Sequence, residues 1–384
     1  MDNLCLAVIG LAAGCELHLA ELRRKEFRAS VLTLCFALTA TAWCFLFPAV
    51  VLLGPHIGFL NGAPRSRLLS VASLTATLGV ARSPASAIAV LREMEARGPF
   101  CNLVMSVTVV KDVVVLVLFA INVEAVHALE AAAATPTSLL PLLARCLATP
   151  VLKVALSAAL GVGGGVLLGA LLLQPRVRDR GALPAAVLLL AAAMFLGARA
   201  LPAEPLLVCV TAGALAANRG TERGERQREE LHTLLGTLMP LINLAFFTLA
   251  GAALAVNALT ATAPIAAVIH AVRLLSLVAA TSAAGYGLPR EHRRVVWMAM
   301  VTQAGVALGL ARTVLARFPH WGGELYALLV ASIVLNQAVG PPLFRAALVA
   351  VGEHKQRGLA PALPHAAELE EAGGAGGRDD GHAG

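Results

Sequence analysis

The chain has 384 residues, 58% of them hydrophobic and 14% charged, with a mean hydropathy of +0.78. Soluble domains carry about a quarter charged residues, so this composition excludes an ordinary soluble fold and points to a polytopic membrane protein. The net charge of +7 lies mostly in short loops at alternate span ends, which argues against a nucleic-acid partner.

In chain order, apolar stretches near the roughly 20 residues that cross a bilayer fall at 4–20, 29–53, 68–96, 102–121, 151–173, 182–200, 204–218, 233–256, 262–284, 295–315 and 325–350. The first is short and the third is long and awkward. The fold class expected is an all-α membrane protein of about eleven transmembrane helices. No cleavable signal peptide is evident, because the first stretch lacks a basic leader and runs into LRRKEFR.

Basic residues mark one side: Arg23, Arg24, Lys25 and Arg28, then Arg92 and Arg97, then Arg176, Arg178 and Arg180. Arg219, Arg223, Arg226 and Arg228 continue the series, followed by Arg290, Arg293 and Arg294, then Lys355 and Arg357. By the positive-inside rule these loops and the C-terminus are cytoplasmic. The cysteines form no C-x-x-C pair and read as buried small hydrophobes. The Ala/Gly-rich tail, 352–384, is expected to be disordered and carries no nucleotide-binding fingerprint.

Nearly all acidic residues lie in loops, at span edges or in the tail, and those that remain within spans are Glu16 and Asp112. Glu16 lies near the basic loop and reads as structural. Asp112 lies half-way along VTVVKDVVVLVLFAIN, where an ionisable group is costly and usually lines a pathway or pairs with another charge. Lys111 beside it points about 100° away and is a poor partner. The other mid-span base is Arg273, with His270 one turn earlier. A structural ion pair is possible in principle, but apolar packing replaces such a pair at little cost, so a transport-site carboxylate is the stronger reading. Thr108, one turn before Asp112, could offer an oxygen to a cation or bond its own backbone.

Two spans are interrupted. In LLSVASLTATLGVARSPASAIAVLREMEARG, Pro84 removes a donor and disfavours helix at Ser83, with Gly79, Arg82 and Ser86 around the break. HRRVVWMAMVTQAGVALGLARTVLARF carries Thr302, Gln303, Ala304 and Gly305 at its midpoint. Two interrupted spans in corresponding halves point to a transporter site, because half-helix ends bring partial charges to mid-membrane. Spans 1–4 and 8–11 would be equivalent blocks of opposite orientation, as alternating access requires. GVGGGVLLG at 161–169 reads as a packing seam between helices or subunits, not a phosphate loop.

ARSPASAIAVLREMEARGPF with VTVVKDVVVLVLFAIN resembles the monovalent cation:proton antiporter superfamily, the sodium/hydrogen exchanger family and its Kef-type potassium/proton branch. GCELHLAELRR, LMPLINLAFFTLAGAAL, TQAGVALGLA and NQAVGPPLFRAAL continue the likeness in order. The resemblance implies an inverted-repeat antiporter fold with two crossed discontinuous helices. Its ion-binding aspartate falls on Asp112, and its basic residue of the later core helix falls on Arg273. The broken-helix positions fall on Arg82, Ser83 and Pro84, and on Thr302, Gln303 and Gly305. It also implies a homodimer, with residues 1–122 and 229–351 as core repeats and 123–228 as dimerisation helices. Against the family pattern the chain starts at about the third span, which leaves open a truncated, non-transporting homologue. Lys111 stands where many relatives have Asp, Asn or Gln.

The function expected is secondary exchange of Na⁺ or K⁺ for H⁺, with Asp112 as the shared carboxylate and Thr108 and Lys111 beside it. The alternatives are a cation channel on the same fold or, more weakly, an organic-anion carrier. No enzyme, cofactor or nucleic acid enters this reading, and the only metal is the transported cation.

Overall fold

A computed structural model describes residues 2–16, 25–134, 139–173, 181–218, 222–252 and 256–354. The expected tail from residue 355 onward lies outside the described residues, as do the basic positions Arg23 and Arg24 and the arginines of 174–180.

Among the described residues the regular structure is helical. The helices are α1 (Asp2–Cys15), α2 (Lys25–Leu53), α3 (Arg65–Val80), α4 (Pro84–Glu93), α5 (Pro99–Ala134) and α6 (Leu139–Leu172). They continue as α7 (Leu183–Ala200), α8 (Pro205–Ala217), α9 (Glu222–Ala252), α10 (Val256–Ala284), α11 (Arg290–Ala299), α12 (Gly305–Arg317) and α13 (Gly322–Val351). Six of them, α2, α5, α6, α7, α10 and α13, contain stretches long and apolar enough to cross a membrane. Outward-facing Phe36, 77% exposed, and Leu52, 76% exposed, suit contact with lipid tails.

The expected interruptions are present. One span is divided into α3 and α4 by residues 81–83, the other into α11 and α12 by residues 300–304. Helix α4 restarts where the sequence provides a start: the Ser83 hydroxyl accepts the Ser86 N–H at 3.2 Å, and Pro84 occupies the first turn, where its missing donor costs nothing.

Packing separates two groups of helices. Helices α2, α5, α10 and α13 hold the broken pairs α3–α4 and α11–α12 between them, while α1, α6, α7 and α8 pack together with α9 beside them. Helix α1 lies chiefly against α8. Their approach depends on glycine: a Cβ on Gly14 would stand 2.0 Å from the Val210 carbonyl oxygen, and one on Gly213 would stand 2.2 Å from that of Leu11. The glycine-rich stretch of α6 makes a seam with α8 in the same way, Gly161 against Thr211 and Gly165 against the Ala212 carbonyl.

At one end of the site-bearing group, the Glu353 carboxylate, just past α13, accepts the main-chain N–H groups of Phe100 at 2.8 Å and Cys101 at 2.9 Å. Those donors open α5, the helix carrying Asp112, and have no partner inside it. Gly98, at φ 155°, makes room, since a Cβ there would lie 2.2 Å from the carboxyl carbon.

Candidate functional site

The two breaks meet. Ser83 donates its main-chain N–H to the Thr302 carbonyl at 3.2 Å, joining the interruption between α3 and α4 to that between α11 and α12. Each break exposes a C-terminal helix end, with unsatisfied carbonyls and partial negative charge, and an N-terminal end of the opposite character.

Arg273 of α10 takes the carbonyl ends. Its guanidinium donates to Gly79 O at 2.9 Å and Ala81 O at 3.2 Å, at the end of α3, and to Val301 O at 2.8 Å, just past α11. A second bond from Nη1 reaches Asn336 Oδ1 at 2.8 Å. The flat, five-donor fork of arginine suits such divergent acceptors.

Asn336 of α13 is the hub of this network. Its amide donates to Gln303 Oε1 at 2.9 Å and to Ser332 O at 2.8 Å, and His270 Nδ1 lies 2.8 Å from its Oδ1. Gln303 in turn donates to Leu78 O at 2.6 Å. One residue on, Gln337 Nε2 donates to Ser86 Oγ at 3.0 Å. Gly340, one turn later, admits Thr302: a Cβ on it would come within 2.9 Å of the Thr302 backbone nitrogen. The stretch NQAVG thus supports both breaks from a single helix face.

The N-terminal ends face a different space. A cavity of about 320 Å³ lies between α1, α9 and the broken pairs, and Ser83, Pro84, Gly305 and Val306 are in its wall. Glu16, Arg92 and His232 also line it, and they line an adjoining wider depression with Glu95 and Arg97. Glu16 and His232 approach to 3.3 Å. The cavity therefore connects the arginine-rich face with the crossing.

Asp112 is 1% exposed, and both of its carboxylate oxygens lack a hydrogen-bond partner among the described residues. The charges that act on it most strongly are those of Arg82 and Lys111, and the Arg82 main-chain N–H also acts on it. Arg82, fully buried, donates through Nη1 to Val104 O at 3.1 Å and lies 5.8 Å from the centre of the Phe344 ring. The Lys111 ammonium is fully buried and has no hydrogen-bond partner among the described residues. Thr108 donates its hydroxyl proton to Val104 O at 2.6 Å, one turn back on its own helix. The Thr302 hydroxyl is buried without a partner among the described residues.

The sequence-derived residues therefore fall into two sets. Asp112, Arg82, Lys111, Ser83 and Thr302 gather about the crossing, while Arg273 and Gln303 brace the carbonyl ends. Asn336 and Gln337 were given no role from the sequence alone. The available signal was two adjacent amides in the middle of an apolar span, where unpaired polar groups are expensive.

Orphaned carboxylate and hydroxyl oxygens beside a helix break are donors of the kind that hard cations prefer. A family model described as "Sodium/hydrogen exchanger, transmembrane" matches residues 2–350. Among solved structures, the fold is similar to that of the sodium proton antiporter MjNhaP1 from Methanocaldococcus jannaschii at pH 8. The TM-score is 0.61 at 12% identity, over 92% of this chain and 85% of that one. No curated protein sequence matches.

Proposed function

Because the chain belongs to the sodium/hydrogen exchanger family of transmembrane proteins, we propose that it exchanges a monovalent cation, Na⁺ or K⁺, for a proton, with Asp112 as the group both compete for. Family membership places it among transporters, not enzymes. The observation that carries the assignment is the Asp112 carboxylate, buried beside two crossed helix breaks with no side chain hydrogen-bonded to it among the described residues.

An ionised carboxylate in a low-dielectric interior is costly unless it is neutralised. Arg82 and Lys111 offset part of that cost, a proton or a transported cation supplies the rest, and each of these two excludes the other. The loaded site can change its exposure; the bare anion is held back. This competition couples the two fluxes without further parts. One carboxylate favours one-for-one exchange, and a proton released from Lys111 on cation binding would make it electrogenic. Arg273 takes three of the carbonyls at the breaks, and the buried Asp112 and Thr302 oxygens, without partners among the described residues, are the ones assigned to the ion.

The two packing groups suit alternating access. The group with α2–α5 and α10–α13 carries the site, and the group with α1 and α6–α9 supplies the opposing wall of the cavity. The arginine-rich face, and with it the C-terminal end of α13, is cytoplasmic by the positive-inside rule, so the cavity opens inward. A second copy of the chain would seat on the outer face of the second group.

The test is proton movement in proteoliposomes on addition of Na⁺, K⁺ or Li⁺, for wild type and Asp112→Asn. Cation-driven proton flux in the wild type, lost in a variant with unchanged melting, is the expected result. Cation flux that needs no proton gradient would replace the exchanger with a channel. Unfolding of the variant would reassign Asp112 to a structural role.

A further inference from the structure

The cavity accounts for access from the arginine-rich face, and exchange requires a second route on the other. From Asp112, α5 continues about 18 Å towards that opposite face before reaching Glu124. There, four charged side chains come from four helices. Glu124 of α5 pairs with Lys153 of α6. Arg317, the last residue of α12, stands 3.9 Å from Glu204, the residue that begins α8. Ser157 links the two pairs: its hydroxyl accepts the Glu204 main-chain N–H at 2.7 Å and donates to Lys153 O at 2.6 Å.

The polarity of this cluster is its informative feature. The site-bearing group contributes an acid, Glu124, and a base, Arg317; the opposing group contributes a base, Lys153, and an acid, Glu204. Each ion pair thus spans the seam between the groups, in opposite sense. By contrast, Glu93–Arg345 and Glu353–His292 lie within the site-bearing group, and Glu16–His232 lies within the other. Beside the cluster, His127, Phe318 and Trp321 stack in series, with ring centroids 4.7 and 4.6 Å apart, and Trp321 Nε1 donates to Glu130 at 2.8 Å. All of these belong to the site-bearing group and form its share of the plug.

We infer that Glu124, Lys153, Glu204 and Arg317 form an ion-pair gate that closes the second access route while the cavity on the arginine-rich face is open. The inference rests on the alternating-access reading above. Partly exposed ion pairs hold modestly and can be broken and remade, as a gate must be. The crossed polarity fixes the register in which the two groups reseat. When they part, Glu124 and Glu204 are left at the mouth of the route as exposed carboxylates.

The test uses a cysteine in place of Val123, a residue 2% exposed and next to Glu124. Its labelling by a membrane-impermeant maleimide is followed from each side of the membrane, and the signal of the same protein without the substitution is subtracted. Lys153→Met and Glu204→Gln should each raise labelling severalfold from the face opposite the arginine-rich loops. The exchanged pair Glu124→Lys with Lys153→Glu should return it to the wild-type rate. Unchanged labelling in the single variants would overturn the gate, as would faster labelling from the arginine-rich face. This readout registers access and not flux, so it stands apart from the result of the exchange assay.

Discussion

Arg273 and Asn336 share a hydrogen bond, Nη1 to Oδ1 at 2.8 Å, and between them they reach both helix breaks. Arg273 holds the end of α3 and Val301, two residues past α11, while Asn336 holds Gln303 between α11 and α12. The pair therefore acts as a brace on which the crossing is built. A lysine at 273 offers one compact ammonium and cannot serve acceptors lying in such different directions. Each buried carbonyl left without a donor costs about 1–3 kcal/mol. Arg273→Lys should melt well below wild type in detergent and lose exchange, and Asn336→Leu should do the same. Wild-type melting of both would remove the brace from the account.

Thr302 behaves differently. Its hydroxyl is buried and unpartnered, so replacing it with a methyl of the same shape costs little stability and can even add some. If that oxygen meets the transported ion, Thr302→Val should raise the cation KM severalfold with melting unchanged, and Thr302→Ser should restore it. A cation KM unmoved by the valine would limit the site to Asp112 and its backbone surroundings.

The contact between His232 and Glu16 predicts a pH dependence of stability. His232 precedes the apolar part of α9, and its hydrogen bond to Glu16 is the main cause raising its pKa above the ordinary value of 6.5. Burial and the nearby Arg92 and Arg228 oppose that rise. A histidine raised on folding stabilises the folded state fully below its ordinary pKa, and the contribution is lost as pH climbs through the raised value. Wild type should therefore out-melt His232→Gln most at pH 5.5, with the gap narrowing towards pH 9. A gap that widens with pH would contradict the pairing.

The approach of α1 to α8 is testable by volume alone. A Cβ on Gly213 would stand 2.2 Å from the Leu11 carbonyl oxygen, whereas one on Gly163 meets nothing within 4 Å. Forcing added atoms into a closed contact costs about 1–3 kcal/mol. Gly213→Ala should lower the melting temperature in detergent while Gly163→Ala leaves it near wild type. Equal behaviour of the two would mean that the helices are not in close contact at this point.

Much of this was legible from residues. Pro84 and the Thr302–Gly305 stretch point to helix breaks because they place a missing donor or small and polar residues at the midpoints of two spans in corresponding halves, and Asp112 announces itself because charge is rare in hydrocarbon. The employment of Arg273 was not legible. Its acceptors are main-chain carbonyls, which every residue has, so no sequence pattern distinguishes a helix-end brace from a partner for Asp112. Glu124, Glu204 and Arg317 went unremarked because they lie near span ends, where charged residues are ordinary. Their pairing comes from four separate helices and exists only once these have packed. The position of α1 was likewise hidden, since a short apolar helix carries no address, and only the matched glycines at 14 and 213 show what it lies against.

The bond between Ser83 and Thr302 has a thermodynamic consequence. The two interruptions are tied to each other and to a common scaffold, so in the exchange cycle proposed above a motion that turns the crossing from one aqueous phase to the other would carry both breaks along as one piece. On that reading the intrinsic affinity for the ion would be the same from either side. Any difference between the two directions of exchange must arise outside the donors, in the work of admitting the ion and in the local potential at each mouth.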